Sequence, residues 1–188
     1  MPTKMPRSKR DKVLELFFNQ PTKQWHFEEL CRQTGLNRKQ VLRWLNLLRK
    51  EHLIKRVKLR GKMPYYLALY EHPNYQHQKR IFALQKLHQS GLLPYLQQVP
   101  AQTIILFGSM ARWDWHEQSD IDLFVYGNTE ALDIGKFEIF LGRDIQVFAC
   151  KERKELADYP TGLLKNILKG DFIKGNLDFV EVHADGRI

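Results

Sequence analysis

Two aspartates, Asp120 and Asp122, interrupt an apolar run that otherwise has the composition of a buried strand, in the stretch SDIDLFVYG. Residues i and i+2 of a strand project from the same face, so the two carboxylates lie side by side and Ile121, Leu123 and Val125 pack on the other face. Adjacent carboxylates repel each other and are costly unless a cation lies between them. The spacing therefore predicts a metal site, and Mg²⁺, which binds one or two carboxylates together with phosphate oxygens, fits it.

A second strand pattern stands upstream. The short β-branched and apolar run TIILFG predicts a buried strand over Thr103–Gly108. Gly108-Ser109 then turns the chain into a short helix, SMARW, and a glycine there lets the backbone approach a bound group. Free N–H groups at a helix start favour phosphate. A phosphate site beside a magnesium pair is the arrangement used for nucleotidyl transfer.

This stretch resembles the polymerase-β-like nucleotidyltransferase superfamily, most closely its minimal, stand-alone bacterial and archaeal members. The resemblance covers roughly residues 100–170 and rests on Phe107-Gly108-Ser109, ten further residues, and Asp120-Ile121-Asp122, with Ala111-Arg112 and Ser119 also matching. It implies an NTP, with ATP expected first, bound by Gly108, Ser109 and Arg112. It also implies two Mg²⁺ held by Asp120 and Asp122. Trp113 and Trp115, in the same stretch, either pack or stack on the base.

The family also implies a third carboxylate on a later strand. A helix predicted in TEALDIGKFEIFLG precedes that strand, RDIQVFAC, with Ile145, Val147 and Ala149 facing inward and Asp144, Gln146 and Phe148 facing the site. The family position falls on Gln146, which cannot act as a general base. Asp144, on the same face about 6–7 Å along the strand, is the catalytic candidate through a local shift. Two alternatives are a slow enzyme with two carboxylates and a domain that binds a nucleotide without turnover.

The N-terminal half differs in charge. Residues 1–100 contain 20 Lys and Arg against 6 Asp and Glu, whereas residues 101–188 contain 10 against 15. Helical patterns in DKVLELFF, HFEELCRQTG and a third segment that begins at Asn37 precede a two-strand pattern, LIKRVKLR and YYLAL. This order resembles a winged helix-turn-helix over roughly residues 8–70. A basic module of this kind suits a polyanion.

Binding of double-stranded DNA is the function that this resemblance implies. The third helix would lie in the major groove and the hairpin tip would reach phosphates or the minor groove. The DNA-facing residues are then Lys39, Arg43, Asn46 and Lys50 on the helix and Lys58, Arg60 and Lys62 in the wing. Two alternatives are a solvated helix face and a protein-docking module. Winged helices commonly act as dimers, which leaves a homodimer open.

The fold class predicted is α+β, with a winged helix-turn-helix at 8–72, a helical linker at 73–99, and a minimal nucleotidyltransferase domain with a mixed sheet at 100–188. The function predicted is Mg-dependent transfer of NMP from an NTP to an acceptor, combined with DNA binding. Minimal relatives often act as antitoxins that adenylylate a partner toxin of the HEPN ribonuclease type. The alternative is a transcriptional regulator with a degenerate, nucleotide-sensing or partner-docking transferase domain. The absence of a long apolar run predicts no membrane segment and a cytoplasmic protein.

Overall fold

The chain packs as two compact units, seen in a computed structural model that describes residues 8–178. Within that range the N-terminal unit comprises residues 8–82 and 113–118, and the C-terminal unit comprises residues 83–112 and 119–178. The predicted helical linker, 73–99, is divided between the units. The N-terminal unit also takes a six-residue segment from the middle of the Gly-Ser to Asp-Ile-Asp signature.

The N-terminal unit has three helices followed by a hairpin, as the sequence pattern predicts. Its elements are α1 (Lys9–Asn19), β1 (Trp25–His26), α2 (Phe27–Thr34), α3 (Arg38–Lys50), β2 (Ile54–Val57), β3 (Tyr65–Ala68) and the first part of α4 (Pro73–Gln89). The sheet is antiparallel with strand order β1-β3-β2, and the two-residue β1 is an addition to the predicted elements. The side chain of Asn37 accepts a hydrogen bond of 2.9 Å from the backbone N–H of Gln40, so α3 begins at its predicted cap.

Trp115 belongs to the core of the N-terminal unit. Its side chain is 1% exposed, its ring meets that of Phe18 edge-on at 6.0 Å, and it stacks on Phe82 at 6.4 Å. The ammonium group of the buried Lys79 lies 4.7 Å from the centre of the same ring. The backbone N–H of Glu117 donates to the carbonyl of Asn19 at 3.0 Å, which ties the segment to the end of α1. Of the two interpretations of Trp115, packing is therefore the one that agrees with the structure.

The C-terminal unit is built on a four-stranded mixed sheet of order β6-β5-β4-β7. Its elements are α5 (Leu92–Gln98), β4 (Ala101–Phe107), α6 (Gly108–Ala111), β5 (Ile121–Gly127), α7 (Gly135–Leu141), β6 (Ile145–Cys150), a 3₁₀ helix (Arg153–Asp158), α8 (Thr161–Ile167) and β7 (Asp171–Lys174). β4 pairs antiparallel with β5 and β7, whereas β5 and β6 are parallel. This arrangement agrees with the predicted α+β class and mixed sheet. The sequence also predicts a last strand near 177–182, which lies mostly outside the described residues, and β7 lies before it.

The sheet carries apolar side chains on both faces. Ile121, Leu123 and Val125 are buried, as predicted, but Phe124 on the face of Asp122 is buried as well. Phe124 packs in a cluster with Ile105, Phe107, Cys150 and Ile167. The prediction that Ala149 faces inward was wrong: Ala149 is exposed and Cys150 is buried, near the end of the edge strand β6.

In the part of the chain that the structure describes, every helix is too short or too polar to cross a membrane.

Candidate active site

Gly108 and Asp122 fit against each other where β4 ends. Phe107 pairs with Asp122 across the antiparallel strands β4 and β5, so the turn after Phe107 comes directly beside the carboxylate. Gly108 has φ +72°, and a Cβ added to it would lie 2.8 Å from Cγ of Asp122 and would collide with Oδ2. A glycine is required here both for the backbone conformation and for the space that the carboxylate occupies. The Gly-Ser turn and the second aspartate of the signature therefore form one site.

Asp122 has a raised pKa. Desolvation by burial is the main cause, the nearby charge of Asp120 raises the pKa further, and the positive charge of Arg112 lowers it. The two carboxylates are thus close enough to repel each other in the folded chain. A bound cation would relieve this repulsion, because opposite charge favours the ionised form. The hard oxygen atoms of two carboxylates also match the ligands that Mg²⁺ prefers.

Gln146 lies beside both aspartates. It is paired in register with Asp122 across the parallel strands β5 and β6. Its side-chain amide Nε2 donates a hydrogen bond of 2.5 Å to Oδ2 of Asp120. The position at which the resemblance implies a third carboxylate therefore lies next to the two aspartates, and it carries an amide. The hydrogen-bond partner of this amide could not be predicted from the sequence, because it depends on the strand register.

Asp144 does not form a three-carboxylate group with Asp120 and Asp122. Its backbone carbonyl accepts a hydrogen bond of 2.9 Å from the N–H of Ile121, and its side chain is exposed. Between residues 8 and 178, no three His, Cys, Asp or Glu side chains are grouped so that they could hold a metal ion. The local shift that would bring Asp144 to the metal is absent from this arrangement, and its catalytic role stays a prediction.

The residues expected to bind the nucleotide lie in and just after α6, which directly follows β4. Ser109 follows Gly108 in α6 and is half-buried, and Arg112 is exposed just after the helix. The influence of Arg112 on the pKa of Asp122 places its positive charge near the carboxylate pair. The structure thus brings a hydroxyl group, a cation and two carboxylates to one end of β4 and β5.

A second candidate site lies on the N-terminal unit, where the side chains expected to contact DNA are all exposed: Lys39, Arg43, Asn46, Lys50, Lys58, Arg60 and Lys62. Asn46 and Lys50 also line a cleft of about 560 Å³ between the end of α3 and β2. The cleft adds cations that sequence reasoning missed, Arg49, Lys55 and Arg56, and none of its lining residues is acidic. The signal for Lys55 and Arg56 in the sequence is the basic content of LIKRVKLR, which begins well before the hairpin tip, and Arg49 lies in the last turn of α3.

Comparison with known protein families found a match for the C-terminal part of the chain. Neither the curated proteins nor the solved structures contain a match to the chain. Residues 92–177 match the model of the family described as "Polymerase beta, Nucleotidyltransferase", a range that runs from α5 through β7 and includes the Gly108–Asp122 site. This part of the chain is therefore similar to the polymerase beta nucleotidyltransferases.

Proposed function

We propose that the chain is a Mg²⁺-dependent nucleotidyltransferase that moves NMP from an NTP to an acceptor. ATP is the NTP that we expect it to use. The observation that carries this proposal is the close packing of the Gly108 turn against the carboxylate of Asp122. It puts a turn suited to phosphate next to a pair of carboxylates suited to a divalent ion. The family match over residues 92–177 supports the same reaction class.

In this proposal one set of residues binds the triphosphate and another binds the cation. The backbone at Gly108 and the hydroxyl group of Ser109 bind phosphate oxygens, and Arg112 offsets their negative charge. Asp120 and Asp122 would hold Mg²⁺, which when bound would stabilise the charge that develops on the transferring phosphoryl group. The acceptor hydroxyl oxygen attacks the α-phosphorus and pyrophosphate leaves. The neutral amide of Gln146 cannot accept the hydroxyl proton, so the proton goes either to solvent or to Asp144, the remaining candidate carboxylate.

An NTP together with Mg²⁺ should stabilise the full-length chain against thermal unfolding, since a ligand that binds only the folded state adds about 2.7 kcal/mol at a concentration of 100 Kd. Ser109→Ala should reduce this stabilisation, and Asp122→Asn should remove its Mg²⁺-dependent part. The measurement is the melting temperature with NTP and either Mg²⁺ or EDTA. A melting temperature that Mg²⁺ leaves unchanged with every NTP would show that the paired aspartates hold no metal.

We further propose that the N-terminal unit is a winged helix-turn-helix that binds double-stranded DNA. The exposed cations of α3, the hairpin tip and the basic cleft support this proposal, because phosphate neutralisation by Lys and Arg dominates DNA affinity. The cleft residues Arg49, Lys55 and Arg56 would contact the phosphate backbone. They lie next to Asn46 and Lys50, which belong to the face of α3 predicted to contact the bases.

DNA binding by the full-length chain should weaken steeply with salt. Lys39→Ala and Arg43→Ala should each cost about 1–3 kcal/mol of binding free energy if the native side chain hydrogen-bonds a base edge. Lys55→Ala with Arg56→Ala should instead lower affinity for every sequence and reduce the salt slope by about two. Fluorescence anisotropy with duplexes selected from a random pool gives both quantities. An absence of binding at low salt would contradict the DNA half of the proposal.

A second candidate function is a transcriptional regulator whose transferase domain senses a nucleotide or docks a partner. The observation that favours it is the amide of Gln146 in place of a third carboxylate, which lowers the negative charge available to metal ions. If the chain is an enzyme, one acceptor that we propose is a toxin protein. DNA binding would then let the chain regulate its own expression. Transfer of label from an α-labelled NTP to a co-expressed partner separates the two functions.

A further inference from the structure

We propose that Gln146 is a positioning residue that holds Asp120 and limits the site to one tightly bound divalent cation. This inference rests on the proposed function, because it concerns the same metal site. The amide of Gln146 and the carboxylate of Asp120 are joined by a hydrogen bond of 2.5 Å, between strands β6 and β5. Asp122, the strand partner of Gln146, is the other carboxylate of the site.

The backbone fixes Gln146 in this place. On the N-terminal side of Asp120, a guanidinium nitrogen of Arg143 donates to the carbonyl of Ser119 at 2.6 Å. On its C-terminal side, the N–H of Ile121 donates to the carbonyl of Asp144 at 2.9 Å. The register of β6 is thus held on both sides of Asp120, and a slip that would bring Asp144 into the position of Gln146 would break these bonds.

The direction of the amide follows from the chemistry of its partner. An ionised carboxylate only accepts hydrogen bonds, so it must face the NH₂ group of Gln146 and not its carbonyl oxygen. The donated hydrogen occupies one oxygen of Asp120, Oδ2. The amide therefore orients Asp120 in the way that outer hydrogen-bond partners orient metal ligands.

Gln146 has an amide where the resemblance implies a third carboxylate. The site therefore has one negative charge and one strong metal ligand fewer. Two aspartates remain, and the described residues offer no group of three acidic, His or Cys side chains. A second cation would have to share these two carboxylates, and one oxygen of Asp120 is already engaged by Gln146. One cation, bound with the nucleotide, is the occupancy that this donor set supports.

The test is titration of the full-length chain with Mn²⁺ in the presence of a non-hydrolysable NTP analogue, with free Mn²⁺ measured by electron paramagnetic resonance. The wild-type chain should bind one Mn²⁺. Gln146→Asp should bind a second, and Gln146→Leu should bind one with about 10-fold or more lower affinity, since the carboxylate loses its orienting bond. Ala149→Asp is the matched control, because it adds a carboxylate to an exposed position of the same strand, and should behave as wild type.

Two tight Mn²⁺ in the wild-type chain would overturn the inference and leave the proposed function intact, as would unchanged affinity in Gln146→Leu. If neither wild type nor Gln146→Asp binds Mn²⁺ with the nucleotide, the proposed metal site fails and this inference fails with it. The wild-type stoichiometry of one, raised by Gln146→Asp and not by Ala149→Asp, is the result that supports it.

Discussion

Replacing Asp120 by asparagine should lower nucleotidyl transfer by about 10²–10³-fold, the size of effect expected when one preorganised electrostatic group is lost from an active site. Asparagine keeps the shape of the side chain and its carbonyl oxygen can still accept the hydrogen bond from Gln146. The substitution therefore removes the charge of the proposed metal ligand and little else. The measurement is incorporation of label from an α-labelled NTP into protein or nucleic acid, with Mg²⁺ or EDTA.

Two further variants make this result specific. Asp158→Asn is the matched control, because Asp158 is exposed at the end of the 3₁₀ helix, and it should transfer label at the wild-type rate. Asp144→Asn separates the two assignments of the third position, since a loss of transfer would show that Asp144 acts as the catalytic carboxylate. Transfer that is unchanged in Asp120→Asn would refute the enzymatic mechanism and favour the sensor or docking function.

Trp115→Ala should lower the free energy of unfolding by about 3–5 kcal/mol, as expected when a large buried aromatic side chain is truncated. Trp115 is 1% exposed and its ring meets those of Phe18 and Phe82. The loss of stability should fall in the N-terminal unit, although Trp115 lies between Ser109 and Asp120 in the sequence. Urea denaturation of the full-length chain measures the free energy, and hydrogen exchange of the α1 amides shows where it is lost.

Trp113→Ala provides the comparison within the same segment. Trp113 is half-buried, so its truncation should cost less than that of Trp115. Equal and small effects of both substitutions would contradict the assignment of Trp115 to the core. Faster exchange confined to amides of the C-terminal unit would contradict the assignment as well.

Much of the local structure could be predicted from the sequence. Period-two and helical patterns identify β4, β5 and β6 and the helices of the N-terminal unit, because each pattern reports which face of a single element is buried. The cap at Asn37 and the order of strand, turn, helix and strand around Gly108 follow from residue type alone. The motif indicates that Gly108 and Asp122 belong to one site. Their direct contact depends on the pairing of β4 with β5.

The rest depends on partners distant in the chain. The hydrogen bond from Gln146 to Asp120 requires the parallel register of β5 and β6, which no single strand encodes. The burial of Cys150 in place of Ala149 depends on the helices that cover one face of an edge strand. Trp115 could be assigned to packing, but its partners in α1 and α4 are long-range and left no local pattern.

The place of Trp115 in the N-terminal core has a consequence for how the protein folds during its synthesis. The ribosome releases residues in order, so the N-terminal unit lacks one of its core rings until residues 113–118 have emerged. By then β4 has already left the ribosome, with its apolar residues Ile104, Ile105 and Leu106 not yet paired with β5. Domains generally fold as units, the N-terminal one first during translation, whereas here part of the C-terminal unit emerges before the N-terminal unit is complete. The N-terminal unit therefore completes its core only after β4 has emerged, and β4 gains its partner β5 only when the chain has continued through residues 121–127.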